Sequence, residues 1–151
     1  MAGPIIHIHL NSHQQSLVDG FLHHHDRHER LSAIVDRSRR AHHLAPAERI
    51  PQNRVIGCSS SVWLISEISD GRCHFRSDAD SPVVRGLVAL LVDFFNHSTP
   101  VEIITSDADP LQLLDLKRGL TPTRRNGLAA VLATIRAFAK AQLNSPNPPI
   151  A

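Results

Sequence analysis

The sequence predicts an α+β domain in which helices pack on one face of a small three-stranded antiparallel sheet. Three observations predict it. Residues 54–77 hold the strand-forming part of the chain, with Asp70-Gly71 set between two apolar runs. Ser81-Pro82, Thr99-Pro100, Asp109-Pro110 and Thr121-Pro122 each place a capping side chain before a proline, as helices begin. Ahead of the sheet, Leu17, Val18, Phe21 and Leu22, then Leu31, Ile34, Val35 and Ser38, recur at helical spacing.

Taken in order, residues 1–15 lack a packing pattern and are expected as a mobile arm. The domain is expected over 16–142, and a flexible tail over 143–151, where three prolines fall. Asp26 followed by Glu29 reads as a capping box at the head of the second helix, which should end near His43. Ala45 to Gln52, with Pro46 and Pro51, reads as a loop. The strands are expected at Arg54–Gly57, Val62–Ser69 and Arg72–Ser77. A two-residue Asp-Gly turn sets Ser69 opposite Arg72, Ile68 opposite Cys73 and Glu67 opposite His74. Val62, Leu64, Ile68, Cys73 and Phe75 then share the core face, and Trp63, Ile65, Glu67, His74 and Arg76 the other. The helix over 82–95 is apolar nearly all round, which puts it at the centre of the core. The last helix, 122–142, carries Leu128, Val131, Leu132, Ile135 and Phe138 along one side. Gly127 inside it costs about 1 kcal/mol relative to alanine, which suits a place of close packing.

Composition narrows the function. A chain of 151 residues fits a single domain, and its net charge of +2 does not call for a nucleic-acid or membrane partner. No apolar run approaches the ~18 residues of a membrane span. Tyrosine is absent and phenylalanine scarce, so stacking platforms for single-stranded nucleic acid are not expected. Met1 to Ser16 lacks the pattern of a signal or transit peptide, and two cysteines without an export signal point to a reducing cytoplasm.

Cys58 is the candidate reactive group. A lone cysteine is more often a small buried hydrophobe. Here Gly57, Ser59, Ser60 and Ser61 surround it with little bulk, on a turn, and Arg54 is close enough in sequence to favour the thiolate. Cys73 falls mid-strand on the apolar face, roughly 20 Å from Cys58 at ~3.3 Å per residue, too far for a disulfide. Of eleven histidines, nine precede residue 44. His24 and His28 have the spacing that shares a helix face, but no third ligand is placed by spacing, and no metal is expected. Arg37, Arg39, Arg40, His42 and His43 suit a helix end. Arg124 and Arg125 lie in the first turn of the last helix, where cations oppose the dipole, and such a placement marks a candidate for function or for an ion pair.

Asn53-Arg-Val-Ile-Gly-Cys58, Val62-Trp63-Leu64, Asp78-Ala-Asp80, Val84-Arg85-Gly-Leu87 and Leu120-Thr-Pro-Thr-Arg124-Arg-Asn-Gly-Leu128 together resemble the SufE family of sulfur-acceptor proteins. The likeness spans about residues 16–142 and implies a SufE/IscU-like α+β fold. It implies a partner, a cysteine desulfurase of the SufS type that holds the pyridoxal phosphate, while this chain holds no cofactor of its own. Cys58 would take sulfane sulfur as a transient persulfide, stimulate the desulfurase and pass sulfur to a downstream Suf cluster scaffold. Arg124 would support the anion or the docking, and Gly57, Ser59, Ser60, Ser61 and Trp63 would meet the partner. The chain departs from the family where Ser59 and Ser61 replace two glutamines, and where Gly119 precedes Leu120-Thr121-Pro122 in place of a histidine.

Other readings stand beside this one. A cluster scaffold of the IscU/NifU type typically needs three cysteine ligands, and this chain has two. A SufE-like binding domain without relay activity is suggested by the altered loop. A histidine-based metal protein would carry stoichiometric zinc. The sequence is compatible with a monomer and with a homodimer.

Overall fold

A computed structural model describes residues 9–145, and its element order follows the cap signals. Two helices, α1 (Ser12–Leu22) and α2 (Arg27–Arg40), lead into two short 3-10 turns, Pro46–Glu48 and Pro51–Asn53. The hairpin of β1 (Val62–Ser69) and β2 (Arg72–Ala79) follows. Then come α3 (Pro82–Phe95), α4 (Pro100–Thr105), α5 (Pro110–Leu113), a 3-10 turn at Lys117–Gly119 and α6 (Pro122–Asn144). Each cap-proline pair begins a helix: Ser81, Thr99, Asp109 and Thr121 all accept from amides of the first turn. Asp26 caps α2 by accepting from the His28 amide. That helix stops at Arg40 instead of near His43.

Among the described residues the sheet has two strands, not three. β1 and β2 pair in the expected register, Ile68 opposite Cys73 and Glu67 opposite His74. Asp70 and Gly71 both take positive φ, 54° and 74°, as a type I′ turn demands. The expected strand at Arg54–Gly57 supplies only a bridge from Arg54 to Trp63 and one bond, from the Val55 amide to the Val62 carbonyl, at 2.8 Å. A 3-10 turn ends just before it, and Gly57 turns the chain at φ 99° just after. Too little extended backbone is left for a ladder.

The expected arm also starts to fold sooner. Asn11 and Gln14 form a reciprocal capping box, and Gln14 is buried, so α1 begins at Ser12. Residues 1–8 of the arm and 146–151 of the tail lie outside the described residues. α3 is the centre of the core, with Leu87, Val88, Phe94 and Phe95 fully buried against β2, α2 and α6. Gly86 permits this, because a Cβ there would sit 3.2 Å from the Val35 Cα. Val62, Leu64, Cys73 and Phe75 are buried on the core face; Ile68 shares that face but stays 42% exposed near the hairpin tip.

Asp78 joins these parts. Its carboxylate is wholly buried and accepts from the Leu44 amide (3.2 Å), Arg49 (2.6 Å), the Ala79 amide (2.8 Å) and Arg85 (2.9 Å). Burial alone would push this carboxyl up, but the Ala79 amide and the two guanidiniums together hold it below the usual carboxylate range. Arg49 also lies over the Trp63 ring, 5.7 Å from its centroid. The chain leading to Cys58 is therefore tied to both β2 and α3.

Candidate functional site

The Cys58 loop is held at its neck. The Val55–Val62 hydrogen bond closes one end, and the Ser61 carbonyl accepts from the Asp80 amide at 3.2 Å. Gly57 lies against α6, where a Cβ would meet the Ala130 Cβ at 3.2 Å. Its φ of 99° would also strain any other residue. From this turn the Cys58 side chain points inward, and its Sγ donates to the Gly127 carbonyl of α6 at 3.2 Å. Gly127 faces the thiol, but the packing does not require a glycine: a Cβ there would sit 3.6 Å from the Cys58 Sγ, an ordinary contact.

The thiol borders a cavity of about 400 Å³. Ser59, Ser60, Thr121, Thr123 and Arg124 supply its polar lining, while Val84, Leu87, Val88, Leu128 and Val131 supply its apolar wall. Burial pushes the Cys58 thiol up, and Arg54 offsets only part of that. Arg54 therefore acts with the expected sign, but burial outweighs it. In this arrangement the thiol is sheltered, half-buried and protonated at neutral pH.

The cavity brings together Cys58, Ser59, Ser60 and Arg124 of the expected site. Gly57, Ser61 and Trp63 lie outside its lining: Gly57 and Ser61 shape the loop, and half-buried Trp63 carries Arg49. Arg125 faces elsewhere, onto a separate cavity of about 430 Å³ with Asp109, Lys117 and Asn126. Sequence reasoning missed the α3 wall and the Gly127 carbonyl. Gly127 itself, a costly residue in a helix interior, was the one available signal.

Cys73 is fully buried on β2, and both cysteines are free. His24 and His28 do not share a helix face, because α1 ends at Leu22 and Asp26 starts α2 between them. Among the described residues, no three His, Cys, Asp or Glu side chains are grouped to hold a metal ion. No helix among them is long and apolar enough to cross a membrane.

Residues 15–139 match the family model SufE, described as an Fe-S metabolism associated domain. The fold is also similar to a solution structure described as that of a hypothetical protein from Thermus thermophilus. That match has a TM-score of 0.72 at 16% identity and covers 91% of this chain and 100% of the other. It speaks for the fold alone.

Proposed function

This chain belongs to the SufE family, associated with Fe-S metabolism, and from that premise we propose that it relays sulfur through Cys58. The donor is a pyridoxal-phosphate-dependent cysteine desulfurase of the SufS type, and the cofactor stays with that enzyme. The Cys58 thiolate attacks the terminal sulfur of the donor's cysteine persulfide. The donor's S–S bond breaks, a new S–S bond forms on Cys58, and the donor cysteine leaves as a thiolate. Sulfur moves as a zero-valent atom, so no outside oxidant or reductant is needed. A downstream cluster scaffold in the same compartment, the cytoplasm, then receives it by the same exchange.

The observation that carries this reading is the seat of Cys58. A half-buried thiol at the edge of a cavity, held by one hydrogen bond to Gly127, can turn away from that acceptor without disturbing the core. Outside the seat it loses its desolvation, and the thiolate becomes accessible. Arg124, exposed on the cavity rim, supplies positive charge for the transferred anion or for docking. A cluster-scaffold role fits less well, because Cys73 is wholly buried in the core and could not join Cys58 as a ligand.

The test is desulfurase turnover. Adding the protein to its cognate desulfurase and L-cysteine should raise the rate of alanine release. Cys58→Ser should abolish that stimulation, and Arg124→Ala should lower it while leaving the fold intact. Equal stimulation by wild type and Cys58→Ser would remove Cys58 from the reaction.

A further inference from the structure

On the loop that carries Cys58 stands an apolar side chain that the fold does not use. Ile56 is 93% exposed, the most exposed large hydrophobic among the described residues. Its neighbours fix it there. Val55 is buried, with its amide on the Val62 carbonyl, and Gly57 turns against Ala130 of α6. The backbone is thus held on both sides of Ile56, and its side chain is turned to solvent two residues from the reactive thiol.

Arg54 and Arg124 accompany it. Both are exposed, Arg54 is near enough to act on the Cys58 charge, and Arg124 lines the thiol's cavity. Among the described residues neither guanidinium is held by a hydrogen bond or a carboxylate. By contrast Arg49, Arg76 and Arg85, in neighbouring segments, each hold one. A single exposed aliphatic side chain is ordinary on a protein surface. An isoleucine turned to solvent on the thiol's own loop, with one free cation two residues before it and another lining the thiol's cavity, is an arrangement for recognition.

We propose that Ile56 and Arg54 are specificity-determining contacts through which this chain selects its sulfur donor. The complementary face is that of a protein with an apolar recess for Ile56, bordered by carboxylates for Arg54 and Arg124. A second copy of this chain fits poorly, because the same face would bring like charges together. The inference rests on the relay reading above and adds to it the chemistry of the donor's surface. Ile56 contributes to affinity by burial on docking, and Arg54 contributes to encounter by attraction.

Loading of Cys58 by two routes tests this. In one, a cysteine desulfurase with L-cysteine supplies the sulfur. In the other, inorganic polysulfide donates one sulfane sulfur directly and leaves shortened by one atom. Ile56→Ser lies on an exposed turn and should not disturb folding, which circular dichroism checks. By the enzyme route it should need about tenfold more desulfurase for half-maximal loading, with the saturated rate kept. By the polysulfide route it should match wild type. The wild-type enzyme route should slow as salt is added, and Arg54→Gln should weaken that salt dependence. Equal enzyme-route loading by wild type and Ile56→Ser, or an equal loss by both routes, would overturn the assignment. Wild-type protein loaded by polysulfide but never by a desulfurase would instead bring down the relay reading, and this inference with it.

Discussion

Where one thiol points decides the chemistry of single residues here. Cys58 donates to the Gly127 carbonyl and sits beside the Val84, Leu87 and Val88 wall. Burial pushes its pKa up, and the sign of the consequence follows. The unfolded chain loses this proton first, at about the ordinary thiol value near 8.5. The stability that the seated thiol contributes is therefore complete below that pH and is lost as pH rises through the folded value. Alkylation of Cys58 in the free protein should be slow at neutral pH, rise only above the ordinary thiol range, and accelerate when the desulfurase is added. A neutral-pH rate equal to that of a small free thiol would contradict the sheltered seat. Gly127 gives a second expectation. Alanine there would make ordinary contact with the Cys58 Sγ at 3.6 Å, so Gly127→Ala should fold and gain up to about 1 kcal/mol in helix stability. Gly127→Leu should displace the thiol and speed its alkylation; thermal melts and alkylation rates read both. Cys58 stood out by its small neighbours on a turn and Arg124 by opposing the helix dipole, and both line the same cavity. The α3 wall was not legible, since nothing local in Val84 or Val88 says which loop will lie against it.

Among the elements, local chemistry was the legible part and pairing was not. The cap-proline pairs announced their helices because a cap needs only its own first turn. Asn11 and Gln14 carried the same kind of signal, and a box read there would have started α1 at Ser12. The supposed strand at 54–57 failed for a reason outside its own composition, since the turns on either side leave it a single bridge. Asp78 was visible as part of a resembling motif but not as a junction, because its partners Leu44, Arg49 and Arg85 come from three separate segments. Removing that charge leaves two guanidiniums facing each other with no anion between them. Asp78→Asn should destabilise the domain by about 3 kcal/mol or more in urea unfolding. The pH dependence has the opposite sign to that of Cys58. With its folded pKa lowered, Asp78 contributes stability that is present above the unfolded carboxyl pKa of about 3.9 and lost as pH falls through the folded value. Acid unfolding of Asp78→Asn should therefore lose part of the wild-type slope in this range. An unchanged slope would mean that the junction does not carry that charge.

Over the whole molecule, the order of helix, hairpin and helix was legible because two strand-like runs flank Asp70-Gly71 and helix caps resume at Ser81. The all-round apolar character of residues 82–95 located the centre of the core, and α3 occupies it. The resulting architecture places a packed frame of hairpin, α3 and α6 beside one surface loop, and the loop carries the cysteine that is not sealed in the core. Sulfur relay needs that division, because the carrier must expose its sulfur to two partners in turn without unfolding. Intact-mass spectrometry tests the claim most directly. The reduced protein is incubated with its cognate desulfurase and L-cysteine, and then measured without reductant. One added sulfur, about 32 Da, is expected on wild type and on Cys73→Ala, and none on Cys58→Ser. No added sulfur on wild type, or an adduct that persists in Cys58→Ser, would contradict relay through this thiol.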